Sequence, residues 1–317
     1  MQNIIEIKDL SLGFDIDEKF YTAVHNVNFN LQKGQMHAIV GESGCGKTMT
    51  IMSILKLLPK NAQITSGEIC YDEKDLLSLK ERDLRKIRGK KIALIPQDPM
   101  TSLNPLYTIE NQMIETILQH TKTDKKRAYQ IALKALEEVE IVNPKERMKA
   151  YPHELSGGMK QRVIIAMALS SNADVIIADE PTTALDVTIQ AQILKLLSDI
   201  KRTGKSIILI THNLAVVKQY CDFVSIMYMG RIIEEAATNT LFKNPKHPYT
   251  KDLLAALPTV KGKKLENIKG APSPITKPVS GCPYHPRCKF ATGVCPKHIF
   301  TLKPQRDNSK VACRLYI

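Results

Sequence analysis

The stretch GESGCGKT, residues 41–48, has the residue types and spacing of a loop that binds phosphate groups. Glycines allow backbone N–H groups to turn inward around phosphate oxygens, and a following helix adds the positive end of its dipole. In this pattern Lys47 brings a positive charge to the β- and γ-phosphates of a nucleotide, and Thr48 offers a hydroxyl to Mg²⁺. The other predicted phosphate-binding residues are Gly41, Glu42, Ser43, Gly44, Cys45 and Gly46.

The residues on either side of the loop are those that such a site requires. MHAIV, which precedes it, is a continuous apolar run, as expected of a strand that is buried on both faces. MTIMSILKLL, which follows it, repeats apolar residues at helical spacing. A glycine-rich turn without a ligand is the alternative, and this strand–loop–helix context makes it the weaker one. We interpret Cys45 as a packing residue and not as a ligand.

A pair of carboxylates ends a second apolar run, VIIADE. The four apolar residues predict a buried strand that carries Asp179 and Glu180 at its end. In an enzyme with a phosphate loop, Asp179 would hold Mg²⁺ through water and Glu180 would polarise the attacking water. Two adjacent carboxylates could also begin a solvated loop, but the phosphate loop elsewhere in the chain favours the chemical interpretation.

The remaining pattern predicts the elements that must position these residues. IIEIKDLSLGF and YTAVHNVNFNL alternate as strands do, and GEICYDEKDL predicts a hairpin at a sheet edge. Buried-strand runs return at KKIALIPQD, ADVIIADE, KSIILITH and FVSIMYMG, with helices between them. Amphipathic helices between about residues 104 and 150 interrupt this alternation. The pattern predicts an α/β fold with a mainly parallel sheet, an antiparallel edge and an inserted helical part.

Composition narrows the class of protein. Hydrophobic residues make up 43% and charged residues 24% of the 317 residues, as in an ordinary globular protein. No apolar run approaches the ~18–20 residues that span a bilayer. The N-terminal residues lack the pattern of a signal peptide, so we expect a cytoplasmic protein in which structural disulfides are rare.

Positive charge is concentrated near the C-terminus. The chain has a net charge of +13, and residues 241–317 contain fifteen Lys and Arg against three Asp and Glu. Ten of the seventeen prolines also lie there. This shift predicts a boundary near residue 240. A basic segment on a nearly neutral body indicates a local anionic partner, either a bound group or lipid headgroups, and not nucleic acid.

This segment also holds four of the seven cysteines, which are Cys282, Cys288, Cys295 and Cys313. Their spacing, with five, six and seventeen intervening residues, differs from the C-x₂-C pairs of most zinc sites and from ferredoxin runs. The spacing predicts a metal site without assigning its metal. Four structural thiols are the alternative. His285 and His298 are further possible ligands, so zinc stays open.

The stretch YPHELSGGMKQR carries the residues that identify a family. LSGGM within it resembles the signature motif of the ATP-binding-cassette ATPases, and it precedes the acidic strand as it does in that family. The resemblance implies that Ser156, Gly157 and Gly158 bind the γ-phosphate of ATP held by a partner subunit. Two subunits would then enclose two ATP molecules head to tail.

Further family positions lie along roughly the first 235 residues. The resemblance implies that Gln97 reaches Mg²⁺ and the attacking water, that Asp186 lies in the loop crossing the dimer interface, and that His212 contacts the γ-phosphate. Lys47, Gln97, Glu180 and His212 are thus the expected catalytic residues. Phe14 aligns best with the aromatic residue that stacks on adenine, with Phe20 and Tyr21 as alternatives.

QDPMTSLNP, YPHELSGGM and NPKHPYTKDLLAALP together resemble the oligopeptide and dipeptide uptake ATPases, a group that includes nickel importers. The resemblance implies a cassette fold over residues 1–240, with a helical signature subdomain at about 100–165, and an extension over 241–317. It implies a peripheral ATPase on the cytoplasmic face of the membrane, powering di- or oligopeptide import. Its implied partners are a second identical or related ATPase, two permease subunits and an extracytoplasmic binding protein.

Two alternatives remain beside peptide import. A nickel or metal-chelate importer is the alternative within the family, although several nickel-uptake ATPases end before this extension. A soluble, non-transport ATP-binding-cassette protein acting on DNA or ribosomes is the alternative of another class. Such proteins usually carry two cassettes or a long coiled coil, and the sequence has neither.

The family also gives the four cysteines an expected role. Some peptide-uptake ATPases bind a [4Fe–4S] cluster with four cysteines at this place, and Cys282, Cys288, Cys295 and Cys313 match them. Arg287 and the neighbouring lysines would offset the charge of such an anionic cluster. A redox or iron sensor fused to a transporter ATPase is a further interpretation of the tail. Because the cluster would lie outside the cassette, we expect no route by which iron chemistry would help to cleave ATP.

Overall fold

The computed structural model describes residues 2–183, 185–257, 268 and 270–317. The chain divides into two compact units, Met1–Leu77 with Ile210–Ile317 and Ser78–Leu209. The first unit thus combines the N-terminal strands with the whole C-terminal segment. The division into a cassette over 1–240 and an extension over 241–317 stays a prediction.

In the first unit, a four-stranded antiparallel sheet has the order β2-β1-β4-β5. The strands are β1 (Asn3–Ile16), β2 (Lys19–Gln32), β4 (Ala62–Tyr71) and β5 (Lys74–Asp75). Alternating apolar residues of β1 and β2 pack into the core, which includes Ile5, Ile7 and Phe29. The strands predicted from alternation and the edge hairpin are therefore confirmed.

A second set of strands in this unit has the order β11-β12-β10-β9-β3. The strands are β3 (Met36–Val40), β9 (Phe223–Tyr228), β10 (Arg231–Ala237), β11 (Lys303–Pro304) and β12 (Lys310–Val311). β3 pairs with β9 in parallel, and β10 pairs antiparallel with both β9 and β12. Its helices are α1 (Lys47–Ile54), α9 (Leu214–Tyr220), α10 (Thr238–Lys243) and α11 (Pro248–Ala255), with 3₁₀ turns at His285–Arg287 and Arg314–Tyr316.

The second unit contains β6 (Ile92–Ile95) and β7 (Val175–Asp179), which pair in parallel. β8 (Ser206–Thr211) begins in this unit and lies beside β7, so that the strand order is β8-β7-β6. Its helices are α2 (Glu81–Leu84), α3 (Pro99–Ser102), α4 (Ile109–His120), α5 (Lys125–Glu138), α6 (Pro144–Lys149), α7 (Gly157–Ser170) and α8 (Val187–Arg202), with a 3₁₀ turn at Pro152–Glu154. α4, α5 and α6 occupy the stretch for which amphipathic helices were predicted.

Parallel strands, an antiparallel sheet and helices between them confirm the predicted α/β class. Each residue of β3 and of β7 is buried, as the continuous apolar runs predict. Among the described residues, no helix is both long enough and apolar enough to cross a membrane.

Within the first unit, buried polar groups connect the C-terminal segment to strand β10. The carboxylate of Glu234, which is fully buried in β10, accepts hydrogen bonds of 2.8 Å from the backbone N–H groups of Lys246 and His247. The Lys246 ammonium forms an ion pair with Asp307 and donates to the Ser309 hydroxyl at 2.7 Å. These contacts satisfy groups that would be costly to bury unpaired, and they fix the start of α11 and the approach to β12.

Candidate functional site: a phosphate loop, an acidic strand end and a cysteine cavity

The phosphate loop runs from the end of β3 to the start of α1 in the first unit. A Cβ atom at Gly41 would lie 2.2 Å from the carbonyl oxygen of Met227, so only glycine fits there. Gly46, with φ of 103°, is in the left-handed region and directly precedes α1. The loop therefore brings the N-terminus of α1 to the place where the pattern predicts phosphates.

Lys47 is the buried cation of this loop. Its side-chain ammonium donates to the carbonyl oxygens of Gly41, at 2.8 Å, and of Glu42, at 3.0 Å. The residue is only 5% exposed, so its ammonium group lies against the loop and not in solvent. Thr48 follows it in the first turn of α1 and is half-buried.

The other loop residues fall into two groups. Ser43 and Gly44 are exposed at the tip of the loop. Cys45 is buried, burial raises the pKa of its thiol, and its carbonyl oxygen accepts from the N–H of Gly230 at 2.8 Å. A buried neutral thiol agrees with the interpretation of Cys45 as a packing residue.

Glu42 has partners that the sequence did not indicate. Its carboxylate forms a two-pronged ion pair with the Arg287 guanidinium, with N–O distances of 2.9 and 3.1 Å. Its backbone N–H donates to the Tyr249 hydroxyl at 3.1 Å. The second residue of the phosphate loop is thus held by two residues of the C-terminal segment.

His212 and Phe14 are two further predicted site residues of the first unit, and they lie on different elements. His212 follows β8 and is exposed, and Asn213 beside it caps α9 through bonds from the N–H groups of Ala215 and Val216. Phe14 lies opposite Tyr21 where β1 and β2 pair, and Phe20 lies opposite Asp15. All three aromatic candidates thus lie at the same end of the β1–β2 ladder, and adenine stacking by Phe14 stays a prediction.

In the second unit, the acidic pair lies at the end of β7 as predicted. Asp179 is 3% exposed, and Glu180 is half-buried. Glu180 has φ of 43°, in the left-handed region that a non-glycine residue occupies only at a cost. One carboxylate oxygen of Glu180 accepts from the amide of Gln97 at 3.2 Å and from the hydroxyl of Thr183 at 3.0 Å. The structure therefore brings Gln97 and Glu180 together, although they lie 83 positions apart in the sequence.

The signature residues begin α7. The Ser156 hydroxyl caps this helix by accepting from the N–H of Met159 at 3.3 Å. A Cβ atom at Gly158 would lie 2.8 Å from the Ile189 side chain, so glycine permits close packing against α8. Asp186 is exposed and caps α8 through the N–H of Ile189 at 2.9 Å. Gly157 is half-buried beside Ser156 at the start of the helix.

The four C-terminal cysteines line one cavity in the first unit, and this cavity is partly open to solvent. Apolar side chains, including Phe290, Phe300 and Leu315, form much of its wall. His285 also lines the cavity, and its Nδ1 lies 2.9 Å from the carbonyl oxygen of Cys282. The cavity collects cysteines from a stretch of more than thirty residues, Cys282, Cys288, Cys295 and Cys313.

Burial disfavours the thiolate form of three of the cysteines in this cavity. Burial raises the pKa of Cys282 to about 11, and it also raises the pKa values of Cys288 and Cys313. A cationic centre would be needed to hold them as thiolates near neutral pH. Within the described part of the chain, no group of three or more His, Cys, Asp and Glu side chains is placed to hold a metal ion. The cysteines therefore share a cavity without converging on a single point.

Two family models match the chain. The ABC transporter model covers residues 24–183, and the model of the oligopeptide/dipeptide transporter C-terminal region covers residues 233–295. The first match contains the phosphate loop, the signature residues and the acidic pair. The second contains three of the four cysteines of the cavity.

Curated relatives match over nearly the whole chain. It is 46% identical over 319 residues to the dipeptide transport ATP-binding protein DppD of Bacillus subtilis, which covers 99% of this chain and 95% of the relative. It is 42% identical over 295 residues to the oligopeptide transport ATP-binding protein OppD of Escherichia coli, which covers 92% of this chain and 87% of the relative.

Solved structures match the fold. The ATP-binding cassette MJ0796, in a dimeric post-hydrolysis state bound to ADP and Pi, gives a TM-score of 0.66 at 29% identity and covers 74% of this chain and 98% of its own. The cbiO1 subunit from Clostridium perfringens, part of an ABC transporter complex, gives 0.66 at 26% identity and covers 77% and 92%.

A phosphate loop, an acidic strand end and a capped signature helix define an ATP-hydrolysing cassette, and the chain belongs to the ATPase subunits of ABC transporters. Within that family, its relatives and its C-terminal match place it in the oligopeptide/dipeptide transporter branch.

Proposed function

We propose that this chain is the ATP-hydrolysing subunit that powers import of di- or oligopeptides across the cytoplasmic membrane. The observation that carries this proposal is the 46% identity to a dipeptide transport ATP-binding protein over 99% of the chain. The C-terminal match, over residues 233–295, supports peptides as the cargo because it belongs to oligopeptide and dipeptide transporters.

The residues of the two units have separate tasks in this proposal. In the first unit, Lys47 and the N–H groups of residues 41–48 bind the phosphates of ATP, Thr48 holds Mg²⁺, and His212 contacts the γ-phosphate. In the second unit, Asp179 and Gln97 approach Mg²⁺, and Glu180 takes a proton from the water that attacks the γ-phosphorus. The bond to the β–γ bridging oxygen then breaks, which leaves ADP and phosphate. Gln97 and Thr183 orient the Glu180 carboxylate for this step.

The proposed assembly follows from the signature residues. Ser156, Gly157 and Gly158 present the N-terminus of α7 to ATP of a second ATPase subunit, and Asp186 lies in the loop that crosses between the two. ATP binding closes this dimer and hydrolysis reopens it, and two membrane permeases convert the motion into transport. A binding protein outside the membrane delivers the peptide. The chain acts on the cytoplasmic face as a peripheral subunit, with a cassette over 1–240 and an extension over 241–317.

Uptake in a deletion strain tests the cargo. A strain that lacks this chain is complemented with the parent gene or with the Lys47→Ala variant, and uptake of a radiolabelled dipeptide and of ⁶³Ni²⁺ is measured. We expect the parent alone to restore dipeptide uptake and neither gene to change nickel uptake. Restored nickel uptake with unchanged dipeptide uptake would favour the nickel alternative. Restoration of neither, together with no permease in pull-downs, would favour the non-transport alternative.

We further propose that Cys282, Cys288, Cys295 and Cys313 hold a [4Fe–4S] cluster. The observation that supports this proposal is that all four thiols line one cavity with largely apolar walls, and a [4Fe–4S] cluster takes four cysteine thiolates. Zinc is the alternative metal. Such a cluster would serve to order the segment, because a small Pro-rich segment has little core of its own. The lysines of the segment would offset its negative charge, whereas Arg287 is paired with Glu42.

Metal analysis of anaerobically purified protein tests this assignment. We expect a brown protein that absorbs broadly near ~400 nm and carries about four iron atoms per chain. Cys288→Ser should lose the iron and the colour, whereas Cys221→Ser, which removes a cysteine outside the cavity, should keep both. A colourless parent with about one zinc per chain, or a parent without metal, would contradict the assignment.

A further inference from the structure

Arg287 lies between two cysteines of the cavity in sequence and on the phosphate loop in space. It is the last residue of the 3₁₀ turn His285–Arg287, directly before Cys288. Its side chain is 8% exposed, and both of its terminal nitrogens bind the Glu42 carboxylate. Arg287 therefore links the cysteine cavity, through its neighbour Cys288, to the phosphate loop, through Glu42.

Three buried tyrosines surround this ion pair. The ring centroids of Tyr228 and Tyr249 are 4.6 Å apart, and Tyr284 lies 5.3 Å from each. The Arg287 guanidinium lies 5.8 Å from the Tyr228 ring centroid and 5.9 Å from that of Tyr284, and it donates to the Tyr228 hydroxyl at 3.1 Å. Tyr284 also lines the cysteine cavity, and the Tyr249 hydroxyl accepts from the Glu42 N–H. The cluster of tyrosines thus contacts the cysteine cavity through Tyr284 and the phosphate loop through Tyr249.

The geometry indicates a strong ion pair between Arg287 and Glu42. Burial opposes the charge of Arg287, but the hydrogen bonds to Glu42 and Tyr228 outweigh it and raise the pKa of the guanidinium. A two-pronged arginine–carboxylate contact fixes direction as well as distance. Loss of either partner would leave an unpaired charge beside the phosphate loop, and such a loss costs more than the pair itself contributes.

We propose that Arg287 is a positioning residue of the ATP site. We further propose that it makes the affinity for ATP depend on how well the cysteine segment, residues 282–313, is ordered. With Arg287 in place, the charge of Glu42 is neutralised, and the Gly41 and Glu42 carbonyls stay where Lys47 binds them. When the segment loosens, Arg287 withdraws. An uncompensated carboxylate then stands on the loop that must accept a polyanion, and ATP binds more weakly. The inference rests on the proposed function only in taking ATP as the ligand.

Titration of a fluorescent ATP analogue with Mg²⁺ into the purified full-length chain tests the positioning role. We expect Arg287→Met to raise Kd about tenfold, within the usual range of coupling between sites. Arg306→Met, which removes an exposed arginine of the same segment, should leave Kd unchanged. In the double variant Glu42→Gln/Arg287→Met the uncompensated charge is gone, so most of the affinity should return. Parent-like binding by Arg287→Met, or a double variant as weak as Arg287→Met, would overturn the proposal.

A second titration tests the link to the cysteines. We expect Cys288→Ser to weaken the binding of the ATP analogue severalfold in the parent background and to add nothing in the Arg287→Met background. Equal weakening in both backgrounds would show that the cysteines act by another route and would overturn the coupling. Lys47→Ala distinguishes the two proposals, because it should lose binding in either case. If it alone loses binding, the ATPase assignment stands and the role of Arg287 does not.

Discussion

Lys47→Ala is expected to reduce ATP hydrolysis by about a hundredfold to a thousandfold, the range for loss of one preorganised electrostatic group. The ammonium is buried on the phosphate loop and is held by the Gly41 and Glu42 carbonyls, so alanine removes the cation that the loop offers to the β- and γ-phosphates. Phosphate release from the purified chain with Mg²⁺ and ATP is the measurement.

Lys33→Ala serves as the matched control for this variant. Lys33 is an exposed lysine in the same unit, beyond the end of β2, and its removal should leave the rate unchanged. Circular dichroism of both variants should match the parent spectrum, which would show that a loss of hydrolysis does not come from unfolding. Near-normal hydrolysis by Lys47→Ala would show that residues 41–48 do not bind the phosphates.

Glu180→Gln should bind ATP and leave it uncleaved. Glutamine keeps the size of the side chain and can still bond to Gln97 and Thr183, but it cannot take the proton from the attacking water. A positioned general base contributes about 10²- to 10⁴-fold, and the rate of hydrolysis should fall by that factor. Uncleaved ATP should hold two subunits together, so a dimer should elute from size-exclusion chromatography with ATP and a monomer with ADP.

The control for this variant is Glu146→Gln, which changes an exposed glutamate of the same unit. It should hydrolyse ATP at the parent rate and show no ATP-dependent dimer under the same conditions. If Glu180→Gln hydrolyses ATP at the parent rate, the base lies elsewhere. The left-handed backbone at Glu180 would then need another explanation.

Local pattern predicted those features of the fold that short stretches of chain decide. The continuous apolar runs became β3 and β7 because a strand buried on both faces needs no polar face. The spacing of glycines and lysine gave the phosphate loop because each residue there has a separate steric or electrostatic task. Ser156 and Asp186 were predicted as site residues and not as helix caps, but in the structure both side chains accept from N–H groups of the helices that they precede.

Contacts between distant residues could not be predicted in this way. The Arg287–Glu42 pair joins residues 245 positions apart, and no periodicity connects them. Tyr249 and Tyr228 likewise showed no chemical pattern, because their role depends on packing against Tyr284. The spacing of the cysteines indicated a site, but their common cavity also takes residues from two 3₁₀ turns that are distant in sequence, among them His285 and Leu315. The left-handed conformation of Glu180 had no signal in its neighbours either.

The central claim is that this chain couples ATP hydrolysis to peptide import, and hydrolysis by the purified transporter tests it most directly. The chain is purified with its permeases and second ATPase subunit in lipid nanodiscs, and phosphate release is measured with the binding protein, empty or loaded with a dipeptide. The account predicts that the loaded binding protein raises the rate severalfold, that nickel does not, and that Glu180→Gln abolishes the increase. A rate that is indifferent to the peptide, or an increase that survives Glu180→Gln, would contradict it.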